Sequence, residues 1–209
     1  MNRTYDSTYL GILLNPLDEC ARHKPAFGRN DPKGVDIVQF RKLYGDDPLY
    51  RWIGLDSDLM YAAHKAAGGM TSIYRQLGIG CERLLRQIIM DYSKSNINSL
   101  NGAVFEIRQG YKSADSKRQN ADLRFGMRAR SDDDLLPVIM IVSTQVNKNV
   151  FQRYRDQRIH IMIGILKGDN STYDFFSDVI GYDLADFFHR NSAIIQKRFE
   201  TIIKQLLTP

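Results

Sequence analysis

Between Gly102 and Arg130 the chain reads GAVFEIRQGYKSADSKRQNADLRFGMRAR. From Glu106 onward, seven basic residues (Arg108, Lys112, Lys117, Arg118, Arg124, Arg128, Arg130) stand among three acids (Glu106, Asp115, Asp122). Phosphate contacts supply much of a protein's affinity for DNA, so this density suits a polyanionic partner. Acids inside a basic strip repel DNA unless a cation screens them. Mg²⁺ does so when one or two carboxylates and a phosphate oxygen hold it. It also polarises the phosphate and lowers the pKa of an attacking water, while a lysine stabilises charge on the phosphorus. Cutting a phosphodiester bond in this way needs two or three carboxylates and a lysine around the end of one strand. Glu106 and Asp115 are the candidate metal ligands, and Lys112 and Lys117 the candidate catalytic cations. Asp115-Ser116-Lys117 has an acid-x-lysine spacing, although that spacing alone is common.

Each of these residues also has a plainer reading. Glu106, followed by Arg108 on the same strand face, is a metal ligand or an Arg-paired strand carboxylate. Asp115, where strand meets helix, is a ligand or a helix N-cap. Asp122 reads first as a helix-surface acid pairing with Arg118 or Lys117, Glu82 as a solvated helix residue or the second acid in place of Asp115, and Asp91 as a helix-end acid. Arg118, Gln119, Asn120 and Arg124 are candidate base readers, because Arg makes two bonds to guanine and Gln or Asn two to adenine; otherwise they form a polar helix face. Arg108 is a further candidate DNA contact, and Arg153, with Lys148, Arg155 and Arg158, is a candidate backbone contact or solvated helix charge. The four histidines are scattered and form no zinc or His-nuclease pattern. No Gly-rich phosphate loop, nucleophile elbow or dinucleotide fingerprint is present, which disfavours a small-molecule enzyme.

The elements that must position these residues follow from hydrophobic spacing. Ile73, Leu77, Cys81, Leu84, Leu85 and Ile88 predict a helix over Thr71–Tyr92 capped by Thr71 or Ser72, with Gly78 and Gly80 marking a close backbone approach or a break. Ala103–Lys112 alternates as a half-buried strand. Ser113–Arg130 reads as a helix with Ala121, Leu123, Phe125 and Met127 supplying apolar contacts. Leu136–Ser143 and Ile159–Leu166 are apolar runs suited to strands buried on both faces, separated by a short basic helix over Asn147–Gln157. A long helix is expected over Tyr182–Leu207. Residues 15–58, rich in Pro, Gly and Asp, read as a loop-rich arm with short elements at Val35–Tyr44 and Leu49–Ile53. The alternation of helix and strand argues for an α/β fold with a small mixed sheet flanked by helices.

Four segments, GGMTSIYRQLGIGCERLLRQII, FEIRQGYKSADSKRQNADL, LLPVIMIVSTQVNKNVFQRYRDQ and GYDLADFF, resemble the ApaLI-like type II restriction endonucleases of the wider PD-(D/E)XK nuclease class. The resemblance spans about Gly68–Leu207, two-thirds of the chain, and GYKSADSKRQNAD is its most specific piece. It implies a restriction-endonuclease-like core and Mg²⁺-dependent, sequence-specific hydrolysis of double-stranded DNA. It further implies a homodimer cutting a palindrome, with a cognate DNA methyltransferase as partner. Glu82 would match the class's helix acid and Glu106 its strand acid. Glu106-Ile107-Arg108 carries Arg where the class has Lys. Either Lys112 or Lys117 therefore fills that role, or Asp115-Ser116-Lys117 is the motif.

The bulk properties agree with a folded chain. It has 209 residues, 43% hydrophobic and 25% charged, with a formal net charge of +5, which fits one globular domain with an N-terminal arm at about 1–60; the resemblance implies that this domain is a nuclease. No apolar run reaches the ~18 residues needed to span a bilayer, and the N-terminus lacks a signal peptide's pattern. The expectation is a cytoplasmic protein without a membrane partner. Two cysteines, Cys20 and Cys81, read as buried thiols. The competing expectations are a DNA-binding module without catalysis and a repair or recombination nuclease of the same class.

Overall fold

The computed structural model describes residues 5–21, 35–45, 57–92, 102–108, 110, 116–132, 135–144 and 146–207. In chain order these form α1 (Asp6–Leu14), a 3-10 turn (Asn15–Leu17), α2 (Asp18–Ala21), α3 (Ile37–Gly45), α4 (Asp58–Tyr92), β1 (Ala103–Arg108), α5 (Ser116–Asp132), β2 (Leu136–Ile141), α6 (Lys148–Asp156), β3 (His160–Met162), α7 (Thr172–Phe175), which runs on as a π-helical turn (Phe176–Ile180), α8 (Leu184–Arg190) and α9 (Ser192–Leu207). The element expected at Val35–Tyr44 is helix α3; that at Leu49–Ile53 lies outside the described residues. The chain divides into two compact units. One holds residues 1–9 and 81–191, the other 10–80 and 192–209.

The first unit is an α/β layer. Its three strands lie in the order β1-β2-β3, and both pairs are parallel. The expected sheet was mixed; the described one is wholly parallel. Parallel neighbours need long crossovers, and α5 and α6 supply them. In β1 and β2, Ala103 faces Leu136 and Arg108 faces Ile141. β2 lies between its neighbours, and Val138, Ile139, Met140 and Ile141 are all buried, as its unbroken apolar run requires. Ile139, Ile141, Val150, Tyr154, Ile159 and Ile161 form the core between sheet and helices.

Local chemistry sets the element ends. The Asn147 side chain caps α6 by accepting from the Asn149 N–H at 2.9 Å. β3 is shorter than its apolar run: Ile163 bridges to Ser171, and Gly164 passes so close to the β2 exit that an added Cβ would lie 2.0 Å from the Val142 carbonyl oxygen. The Thr172 hydroxyl then donates to the Ile141 carbonyl at 2.8 Å. The long C-terminal helix expected over Tyr182–Leu207 is two helices. Asp183 caps α8, accepting from the Asp186 N–H at 2.8 Å, and the Asn191 side chain donates to the Phe187 carbonyl at 2.8 Å where α8 ends.

The second unit is helical. Leu17, Cys20, Ile73, Ile202 and Leu206 form one core cluster, and Val35, Phe40 and Tyr61 another. The α4 helix is 35 residues long and starts well before Thr71. Thr71 does not cap it; its hydroxyl donates to the Ala67 carbonyl at 3.3 Å within the helix. Gly80 marks a close approach without a break: a Cβ there would lie 2.3 Å from the Leu13 carbonyl oxygen. Among the described residues, no helix is long and apolar enough to cross a membrane.

Candidate functional site

α5 carries the basic strip, and its orientation differs from the expected one. Leu123 packs against the core as expected and Phe125 is half-buried, but Ala121 and Met127 are exposed, while the buried positions are Gln119, Asp122, Gly126 and Ala129. The expected contacts at 121, 123, 125 and 127 follow a period of two, which no helix face has. The observed inward set recurs every three or four residues. It carries two polar side chains because partners across the core satisfy them, as burial demands.

Asp122 is the centre of that inward face. It is not a surface acid paired with Arg118 or Lys117 but a buried residue, 1% exposed. One carboxylate oxygen accepts from the Arg108 guanidinium at 2.7 Å. The other accepts from the Tyr154 hydroxyl of α6 at 2.8 Å. Arg108 also reaches Glu106 at 2.9 Å. The two residues lie two apart on β1, so they share a sheet face. One guanidinium thus joins a buried carboxylate to a half-buried one.

Glu106 shows what burial does here. Its pKa is raised above the ordinary glutamate value, first by burial; Arg108 pulls the other way, and Asp122 and Glu82 add to the rise. Desolvation therefore outweighs the nearby guanidinium. Glu82 itself is half-buried and paired with Arg86 at 3.0 Å across one helical turn. Asp91 is more than a helix-end acid: it accepts from the Tyr9 hydroxyl and from Gln87, both at 2.9 Å.

The remaining expected site residues fall into three groups. Lys117, Asn120 and Arg124 on α5, and Lys148, Arg153 and Arg155 on α6, are exposed. Gln119 is buried at 6% exposure, so its side chain is inside the protein and not on a groove-reading surface. Arg153 ties the helices together, donating to the Gln119 side-chain oxygen at 2.8 Å and to that of Asn120 at 3.2 Å. Asp115, Lys112 and the Arg118 side chain lie outside the described residues. Among the described residues, no three His, Cys, Asp or Glu side chains converge as a metal site. Glu106 and Asp122 come together around Arg108, as Asp6 and Asp186 do around Arg190.

Sequence reasoning undervalued Tyr154 and Asp122. Tyr154 had a signal in Val150 and Tyr154, four residues apart on the buried side of α6. Asp122 had none, because an aspartate amid basic residues looks like any solvated helix acid.

The fold and site define an α/β protein with a parallel three-stranded sheet and a basic helical face over a buried Arg–carboxylate network. Comparison with protein-family models, with curated proteins and with solved structures finds no match to this chain.

Proposed function

We propose that this protein is a sequence-specific endonuclease of double-stranded DNA, of the type II restriction kind, acting as a homodimer with Mg²⁺ as the cation. The observation that carries the reading is Glu106. It is a half-buried carboxylate beside the basic helix, and desolvation raises its pKa although Arg108 lies 2.9 Å away. Perturbed carboxylates of this kind concentrate at functional sites. The exposed cations of α5 and α6 supply the electrostatic footprint for a duplex. The resemblance of GYKSADSKRQNAD to the ApaLI-like endonucleases supplies the reaction class.

The described donors do not by themselves make a Mg²⁺ site. Glu106 is one carboxylate, and Asp122 is enclosed by Arg108 and Tyr154. The reading assigns the missing donor to Asp115 and the catalytic cation to Lys112 or Lys117. A second reading, a DNA-binding protein without catalysis, is favoured by one observation: Arg108 already pairs with both Glu106 and Asp122.

Incubation of the purified chain with phage DNA and Mg²⁺ separates the two. Discrete fragments, lost in EDTA and in the Glu106→Ala variant, are the expected result. Duplex binding with no fragments, in Mg²⁺ and EDTA alike, sinks the nuclease reading and leaves the binding one. Cleavage confined to ends, mismatches or junctions would instead identify a repair nuclease.

A further inference from the structure

We propose that Gln119 and Asn120 do not read bases but aim the Arg153 guanidinium at a phosphate of the nucleic-acid backbone. The inference rests on the nucleic-acid reading of the α5–α6 face and deepens it. Gln119 is buried, so its amide has no route to a base edge. What the amide does instead is accept from Arg153 at 2.8 Å, while the exposed Asn120 accepts from the same guanidinium at 3.2 Å.

The chemical type of these acceptors decides the role. Arg41, Arg86, Arg108, Arg190 and Arg198 all reach carboxylates, which cancel their charge. Arg153 is held by two amide oxygens, which fix the plane of the fork and leave its full positive charge. Arg130 is also held by neutral oxygens, but these are the Gln157 and Arg158 carbonyls that follow α6, a capping arrangement. Arg153 is exposed, on the side chain of a surface helix. A guanidinium carries five N–H donors in a rigid fork that matches phosphate. Fixing two of its nitrogens beforehand lowers the ordering cost of the contact. Gln119 is then a positioning residue acting through Arg153.

Fluorescence anisotropy of the full chain on a labelled duplex, in EDTA and across a salt series, tests this. Arg153→Ala should reduce the slope of log affinity against log salt by about 0.9, the loss of one phosphate contact, and weaken binding about eightfold at 0.1 M salt on every sequence alike. Gln119→Glu, which sets a carboxylate against Arg153, should reproduce that slope change. Gln119→Met should weaken binding in the wild-type background and change nothing further in Arg153→Ala. A merely structural glutamine would lower thermal stability and leave the slope untouched. Should Gln119→Glu fail to fold, as judged by circular dichroism, Asn120→Asp carries the same charge test from an exposed position.

The inference is overturned if the charge-cancelling variants keep the wild-type slope. It is also overturned if Gln119→Met alters the affinity ratio between two duplex sequences, the mark of base reading. If wild type shows no salt-dependent duplex binding at all, the nucleic-acid reading itself has failed.

Discussion

Glu106 and Asp122 pair with the same guanidinium, yet their surroundings make opposite demands on the fold. Asp122 has both oxygens bonded inside the protein, so its charge is compensated where water is absent. Replacing it with Asn leaves Arg108 partly buried with one carboxylate fewer. The expected loss is about 3 kcal/mol, the scale for breaking a buried pair from one side, read by urea denaturation. For Glu106 the raised pKa means that its ionised form is less comfortable folded than unfolded. The folded protein takes up that proton before the unfolded chain does, so this residue adds stability as pH falls through its folded value toward the ordinary 4.5. Glu106→Gln should therefore be no less stable than wild type at pH 7. Its relative advantage should shrink as pH falls through that window. A loss at neutral pH matching that of Asp122→Asn would show that Glu106 serves the fold and not a site.

At the scale of elements, glycines separate helices that need contact from those that do not. Gly80 lets the α4 backbone meet the Leu13 carbonyl, where a Cβ would stand 2.3 Å away against a backbone atom. Alanine is the better helix former by about 1 kcal/mol, but here the clash wins. Gly80→Ala should cost roughly 2 kcal/mol or more. Gly11 in α1 has Asn15 Nδ2 as its nearest neighbour, 3.8 Å from the added Cβ. Gly11→Ala should gain up to about 1 kcal/mol. Paired thermal melts check both, and equal shifts in the same direction would contradict the packing argument. The helical spacing around Ile73–Ile88 was legible because it follows the core face of α4. The upstream extension to Asp58 was not, since Ala, Gly and polar residues carry little periodic signal there.

Across the whole molecule, both compact units are discontinuous in sequence. Arg190 holds Asp6 within the first and Arg198 holds Asp18 within the second, pairs separated by 184 and 180 positions. The two thiols are enclosed as well. Cys20 is 0% exposed and Cys81 3%, and burial pushes the Cys81 thiol up to about 12. A thiol that is both covered and protonated is a poor nucleophile. An aromatic disulfide reagent should therefore leave both cysteines unmodified in the native protein and titrate two equivalents in denaturant. Rapid labelling of either in the native state would place it at the surface.

The α/β alternation, the buried strand β2 and the basic density of α5 are local properties, and chain order alone was enough to read them. The inward face of α5 was not local. A helix without an apolar stripe offers no sign of which side is buried; that depends on Arg108 and Tyr154, 14 and 32 positions away. Only their approach in the folded chain makes burying Asp122 affordable, because a charge leaves water only where opposite charge and hydrogen bonds meet it. The same approach turns Gln119 from an outward reader into an inward support, and decides that Glu106 and Asp122 gather around a guanidinium.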